Sequence, residues 1–455
     1  MAAPTSVLSL IGNTPLLELT QFDTGPCRLF VKLENQNPGG SIKDRVALAM
    51  IEEAEQQGRL KPGATIIEAT AGNTGLGLAL VAAQKGYRLV LVVPDKMSRE
   101  KIFHLRALGA EVLLTRSDVA KGHPDYYQDY AQRLAHSQPD AYYIDQFNNP
   151  ANPLVHYRST GPELWRQMDE QVDAVVVGVG SGGTLGGLAR YFADVSPDTE
   201  FVLADPQGSI LTDYVQRGDY GEAGSWRVEG IGEDFVPPLA DFRQVRHAYA
   251  ISDADAFASA RDLLRLEGVL AGSSSGTLLS AALRYCQAQS EPKRVATLVC
   301  DSGNKYLSKM FNDYWLLEQG LIQRPHLGDL RDLITYRHDD RATVAVTPDD
   351  TLAVAHARMR LYDISQLPVL ENEYLVGILD EWDLLNSVKQ DSRPFARRVR
   401  DAMSRHVQTL AYTASHDALL STFDRGHVAV IVDGDRFLGL ITRTDVLNHW
   451  RHTLN

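Results

Sequence analysis

Short apolar runs rich in β-branched residues recur along the first two thirds of the chain, separated by longer stretches in which apolar residues return every three or four positions. The runs are RLFVKLE, ATIIEAT, YRLVLVVP, AEVLLT, AYYIDQF, DAVVVGVG, EFVLADP and VATLVCD, between about residues 29 and 302. Runs of this length with β-branched enrichment predict strands, and the intervening 3.6-residue period predicts helices. Alternation of the two predicts an α/β fold, a mostly parallel twisted sheet with helices on both faces. Ligands of such sheets bind beyond the carboxyl ends of the strands, so the loops just after the runs are where chemistry is to be sought.

The pattern stops near Leu317. After a linker, residues 318–335, two similar segments follow, about 336–390 and 396–455. TPDDTLAVAHARMRLYDISQLPVLENEYLVGILDEWDLL is echoed by TASHDALLSTFDRGHVAVIVDGDRFLGLITRTDVL. Each predicts a helix, a strand, a tight turn (Glu371-Asn372 or Asp433-Gly434), a second strand and a helix. The chain is thus expected to hold one large unit, residues 1–317, and a small unit used twice.

A length of 455 residues accommodates such an arrangement, since each part can bury its own core. Apolar residues make up 44% and charged residues 23%, a globular profile. The formal net charge of −13 argues against nucleic acid as a partner, because a phosphate-binding surface would have to overcome it. No apolar run reaches the length of a membrane span and the N-terminus lacks a signal-like pattern, so a cytoplasmic location is expected, with no membrane partner. Cys27, Cys286 and Cys300 have no CxxC spacing and the histidines no HExxH pattern, so neither disulfides nor a metal site is expected.

Three glycine-rich loops fall at predicted strand ends: NPGGSIKDR (residues 37–45), EATAGNTGLG and GVGSGGTLGG. Glycine lets backbone N–H groups approach an anion, and a helix opening at Thr184 would aim its positive end at a phosphate. One rival is a dinucleotide site, with Gly178, Gly180 and Gly183 as GxGxxG and Asp205 as the ribose-binding acid. That reading leaves the glycines around Lys43 and Asn73 unexplained. Lys43 opens a predicted helix, where the macrodipole pushes an ammonium towards its neutral, nucleophilic form, as Schiff-base chemistry requires. A solvated lysine reaching past the helix end is the plainer reading, and Gly39 and Gly40 weigh against it by thinning the wall where a flat ring could lie.

Taken together these stretches resemble the fold type II (tryptophan synthase β-like) pyridoxal-phosphate enzymes, in their β-replacement branch, from IGNTPL to about Leu317. The duplicated segment resembles the tandem CBS-domain (Bateman) module. The resemblance implies pyridoxal 5'-phosphate as cofactor, with Lys43 as its attachment point and catalytic base. It places Asn73 beside the cofactor's phenolic oxygen, makes Gly180, Ser181, Gly182, Gly183 and Thr184 the phosphate cup, and sets Ser302 against the pyridine nitrogen. Thr70, Ala71, Gly72, Thr74 and Gln146 would hold the substrate. A neutral serine at the ring nitrogen makes the ring a moderate electron sink, which favours β-elimination over transamination. Asp301, next in line, is expected to point to the other face by strand alternation.

The implied reaction joins L-serine and L-homocysteine into L-cystathionine for cysteine biosynthesis, with Lys43 moving the Cα proton and sulfide-producing side reactions open. The alternative within the family is cysteine synthesis from O-acetylserine and sulfide. Glu233 in EGIGEDFVP would receive homocysteine's ammonium group, and reads equally well as a surface acid. Glu233 and Phe147 both stand where eukaryotic relatives carry tyrosine. IGNTPL begins at Ile11, from which no haem is expected. In the module, Asp383, Thr442 and Asp445 are candidate regulatory contacts for an adenosyl ligand, S-adenosylmethionine or an adenine nucleotide. Asp380 stands where the first repeat should carry threonine, and its charge would repel a phosphate, which favours S-adenosylmethionine there. A module that only packs or dimerises is the other reading; a homodimer or higher homo-oligomer is expected.

Overall fold

The computed structural model describes residues 5–70, 72–95, 97, 99–119, 122–390 and 393–453. It divides into two compact units, Met1–Phe311 and Asn312–Asn455. The first contains two sheets. One runs in the order β1-β2-β10-β7-β8-β9, with β1 Leu16–Glu18, β2 Arg28–Lys32, β7 Ala174–Val177, β8 Glu200–Pro206, β9 Val245–Ile251 and β10 Arg294–Leu298. The other runs β5-β4-β3-β6, with β3 Thr65–Glu68, β4 Arg88–Pro94, β5 Glu111–Thr115 and β6 Ala141–Tyr143. All pairings are parallel except β1 with β2. Each apolar run read from the sequence forms a strand. β3 and β7 are buried at every position, which is why they read as continuous apolar stretches.

Two helices carry the first glycine loops into the core. Helix Lys43–Gln56 buries Val46, Ala47, Met50, Ile51 and Ala54 against Leu76, Leu78, Ala79, Val81 and Ala82 of helix Asn73–Lys85. Each such branched side chain contributes roughly 1.5–3 kcal/mol when fully buried. The helices meet so closely that a Cβ on Gly77 would stand 2.9 Å from the Lys43 carbonyl oxygen. Their first residues, Lys43 and Asn73, are thereby fixed as neighbours.

Directly after Lys43 the chain buries Arg45, 2% exposed. Its guanidinium grips Glu34 through Nε and Nη2 at 2.8 Å each, and Glu163 through Nη1 and Nη2 at 2.7 Å each. Lys32, fully buried, reaches Glu163 at 2.9 Å. Two cations and two carboxylates thus neutralise one another beneath the start of the helix.

The second unit folds around a five-stranded sheet, β11-β12-β15-β14-β13. The first repeat supplies helix Leu352–Tyr362, β11 Gln366–Glu371, β12 Tyr374–Asp380 and helix Glu381–Gln390. The second supplies β13 Thr409–Ala411, helix His416–Asp424, β14 Ala429–Asp433, β15 Arg436–Ile441 and helix Arg443–Thr453. The first hairpin turns at Asn372 and Glu373, both with positive φ, one residue later than read from the sequence. Helix Asp313–Glu318 belongs to this unit, so the division lies at Phe311 and not at Leu317. Tyr314 stacks on Tyr336 at 4.6 Å between ring centres and lies under Arg324, contacts that the loss of strand alternation gave no means of reading.

Candidate active site

A cavity of about 570 Å³ opens where the glycine loops converge. Lys43, Thr70, Gly72, Asn73, Thr74, Gln146, Gly180, Ser181, Gly182, Gly183, Thr184 and Glu233 all line it. Ala71 lies outside the described residues. The helix Asn73–Lys85 begins at Gly72 and the helix Gly183–Val195 at Gly182, and neither start carries a side-chain cap. Helix Asp253–Glu267, by contrast, is capped by Ser252 in the ordinary way. Two sets of orphan N–H donors therefore face one cavity, each a ready anion cradle.

Steric demand explains the glycines of the second cradle. A Cβ on Gly180 would sit 2.5 Å from the Gly230 carbonyl oxygen, and Gly182 has φ +85° with the Ala240 nitrogen 2.5 Å from its Cβ position. Asn152 and His156, which the sequence reading did not single out, back this loop. Asn152 Nδ2 donates to Ser181 Oγ and to the Gln146 carbonyl, both at 2.9 Å. His156 Nε2 lies 3.3 Å from Thr184 Oγ1 while Nδ1 lies 2.9 Å from Thr160 Oγ1. Burial, then Lys43 and Arg45, holds the imidazole well below its ordinary range, so it is neutral. In the loop that precedes helix Asn73–Lys85, Thr70 Oγ1 accepts from Gly72 N at 3.1 Å, and inside that helix Thr74 Oγ1 donates to Gln146 Oε1 at 2.7 Å.

Burial lowers the Lys43 ammonium's pKa, opposed by the neighbouring Cys300 and Glu233. The direction agrees with the reading from the helix start, and the leading cause is burial. Glu233 is pushed up to about 8 by burial, then by Asp234 and Asp205, against Lys43. Burial likewise raises the Cys300 thiol to about 12, leaving it protonated.

Ser302 requires correction: it does not line this cavity but a separate one, with Gly40 and Lys305. β10 ends at Leu298, and at Ser302 the chain turns into a short 3-10 helix whose Asn304 N–H donates to Ser302 Oγ at 3.3 Å. The strand ends three residues before Asp301, so strand alternation does not set which way Asp301 points. Besides Ser181 and Ser117, the cavity is lined by Ser274, 5% exposed, in the first turn of helix Ser273–Gln287, beside Cys300. Asp301 does not meet the ring either; its Oδ2 accepts from Asn73 Nδ2 and Tyr306 Oη, both at 2.9 Å. Asp205, the ribose acid of the dinucleotide reading, is buried and accepts from Thr212 N and Oγ1, away from the cavity. That reading is set aside.

In the second unit the aspartates act as helix caps. Asp445 Oδ2 accepts from Thr442 N and Oγ1 at 2.7 and 2.5 Å, and its Oδ1 from Thr335 Oγ1 at 2.6 Å. Asp383 and Asp380 bond reciprocally through N–H and carboxylate at 3.2 and 2.8 Å, so Asp380 does structurally what Thr442 does in the other repeat. Burial raises the Asp383 carboxyl's pKa, with the Asp380 N–H opposing and the Asp380 carboxylate adding to it.

The first unit's cavity fits pyridoxal phosphate on its own chemistry: a half-buried lysine with a destabilised ammonium for the aldehyde, an uncapped helix start with tightly packed glycines for the phosphate, an amide and a neutral serine for the ring. The pyridoxal-phosphate dependent enzyme family matches residues 7–301, and the CBS domain matches 332–390 and 399–452. A cystathionine beta-synthase of Apis mellifera is 34% identical over 454 residues, covering 97% of this chain and 90% of that protein. The structure of an O-acetylserine dependent cystathionine beta-synthase from Helicobacter pylori aligns with TM-score 0.63 at 38% identity, covering 68% of this chain and 99% of that one. A hydrogen sulfide-producing enzyme from Fusobacterium nucleatum aligns with TM-score 0.63 at 36% identity, covering 67% and 100%.

Proposed function

The chain belongs to the cystathionine beta-synthases, within the pyridoxal-phosphate dependent enzymes, and from this premise we propose that it replaces the β-substituent of L-serine with the thiol of L-homocysteine to give L-cystathionine. The observation that carries the reading is the cavity where Lys43 and two uncapped helix starts meet. Bound pyridoxal phosphate supplies the electron sink that acidifies the substrate's Cα proton and lets the β-substituent leave.

Donors at Gly182, Gly183 and Thr184 hold the phosphate, with Gly180 and Ser181 shaping the loop, and Ser274 faces the ring nitrogen. A hydroxyl there leaves the nitrogen without a counter-charge, which favours elimination at Cβ. Asn73 is a donor for the ring oxygen, which lies next to the aldehyde carbon that Lys43 binds. The loop from Thr70 to Thr74 takes the substrate carboxylate on N–H groups and hydroxyls, with Gln146 bracing Thr74. Lys43, its ammonium destabilised by burial, takes the Cα proton and passes it to the departing hydroxyl, which leaves as water; the proton the thiol gives up as it adds then reaches Cα through Lys43. Glu233 receives the ammonium group of the incoming homocysteine.

The preparation should be yellow and Lys43→Ala colourless. Comparing kcat/KM for serine with homocysteine, O-acetylserine with homocysteine, and O-acetylserine with sulfide tests the substrates. A wide margin for sulfide would overturn the cystathionine assignment; the Helicobacter pylori relative makes the second pair the one to measure beside the first. Among the described residues no helix is long and apolar enough to cross a membrane. A cytoplasmic homo-oligomer, and a regulatory module over residues 336–455 taking S-adenosylmethionine near Asp383 and an adenosyl ligand near Thr442 and Asp445, complete the proposal. Titration calorimetry with S-adenosylmethionine, AMP and ATP checks the ligand; tight nucleotide binding with none of S-adenosylmethionine would refute it.

A further inference from the structure

We propose that Lys305, together with Asp301, is a positioning residue: the two fix the side-chain amide of Asn73 as a hydrogen-bond donor to whatever oxygen lies beside Lys43 in the cavity. This rests on the reading of Asn73 as the neighbour of the cofactor's ring oxygen. Lys305 Nζ donates to Asn73 Oδ1 at 2.5 Å, and Asn73 Nδ2 donates to Asp301 Oδ2 at 2.9 Å. A lysine head offers only hydrogens and a carboxylate only lone pairs, so chemistry alone settles which way round the amide stands. Turned over, it would set N–H against Lys305 and oxygen against Asp301, two repulsive contacts in place of two bonds. The second Nδ2 hydrogen has no protein partner among the described residues, and Asn73 lines the cavity with Lys43.

The surroundings are built to hold this arrangement. Asp301 is fully buried and its Oδ2 also accepts from Tyr306 Oη, itself 3% exposed. Lys305 makes no ion pair among the described residues; its hydrogen bonds go to the Asn73 amide and, at 3.5 Å, to the Gly40 carbonyl. Burial lowers its pKa, with Asp301 and Asp44 opposing. A lysine desolvated to serve a neutral amide offsets its cost poorly by stability alone. The segment is also tied to the loop that carries Lys43: Ser302 N donates to the Gly40 carbonyl at 3.0 Å, and Ser41 bridges Asp301. One stretch, residues 301–306, thus registers Asn73 against Lys43.

A donor held at the ring oxygen favours its ionised form over its protonated form, two forms that absorb in different bands. The test compares holoenzymes of the full chain: wild type, Lys305→Met, Lys305→Arg, Asn73→Ala and the double variant Lys305→Met/Asn73→Ala, with Lys305→Gln where the methionine variant fails to fold. The expected result is an about tenfold change in the ratio of visible to near-ultraviolet absorbance in Lys305→Met, equivalent to ~1.4 kcal/mol, one hydrogen bond to a charged group. Lys305→Arg restores the wild-type ratio, Asn73→Ala shows the same change, and the double variant adds nothing to it. Wild-type bands in Lys305→Met with only a lower melting temperature would make Lys305 merely structural and overturn the proposal, as would additive shifts in the double variant. A wild-type protein that never takes up the cofactor would overturn the functional reading as well, and is told apart by its lack of colour.

Discussion

Arg45→Met removes the one side chain that joins Glu34 to Glu163. Glu163 keeps Lys32 at 2.9 Å, so its charge stays partnered. Glu34, fully buried, keeps only neutral donors: Thr14 Oγ1 at 2.6 Å and Asn37 Nδ2 at 2.9 Å. Breaking a buried pair on one side costs about 3–5 kcal/mol, a large part of the roughly 5–15 kcal/mol that holds a typical domain. Urea unfolding at a fixed cofactor excess should therefore show a loss of that size in the first unit, and Arg45→Met/Glu34→Gln should recover most of it by removing the orphaned charge. The pH dependence carries a second signature. Although burial raises it, Glu163 is held down to about 2 by Arg45 and Lys32, below its ordinary 4.5. A depressed carboxyl contributes stability above the unfolded value that is lost as pH falls through the folded one, here between about 4.5 and 2. Arg45→Met should flatten that acid slope. A loss under about 1 kcal/mol, or an equal loss with Glu34→Gln added, would show that the network is not what secures the start of the Lys43 helix.

Ser274→Ala should alter the bound cofactor's absorbance and lower kcat, whereas Ser302→Ala should leave both intact and cost at most about 1 kcal/mol as a lost cap; the reverse pattern would restore Ser302 to the ring. Gly182→Ala, forced to φ +85° with its Cβ 2.5 Å from the Ala240 nitrogen, should weaken cofactor retention on dialysis by about tenfold or more; full retention would exclude that loop as the phosphate site. Glu233, raised to about 8, becomes charged only above that pH, so turnover with homocysteine should climb through about pH 8 in wild type and lose that ionisation in Glu233→Gln, with sulfide turnover unaffected. Because its folded pKa is raised, its stabilising contribution is complete below its ordinary 4.5 and lost as pH rises through about 8, a decline that Glu233→Gln should also remove.

Strands β2, β3, β4, β7, β8 and β10 were legible because burial on both faces writes them as nearly unbroken apolar runs. β1 and β9 were not: the first is three half-buried residues, and the second, VRHAYAI, is an edge strand exposing Arg246, His247 and Ala250. The glycines of the loop before helix Gly183–Val195 stand out in the sequence because close backbone approaches at Gly180 and Gly182 admit no side chain. Ser274 was not legible because AGSSSGT opens a helix and does not close a strand. The amide lock on Asn73 joins residues more than two hundred positions apart, and only the fold brings Lys305 to it.

The uncapped helix starts at Gly72 and Gly182, both facing the cavity, have a consequence for the life of the protein. On the proposed reading, cofactor and substrate would complete these N–H groups and do the work that Ser252 does for helix Asp253–Glu267. Ligand occupancy then shifts the folding equilibrium by mass action. Under vitamin shortage the unfolded fraction exposed to proteases grows, and the amount of this enzyme in the cell becomes a record of its cofactor supply.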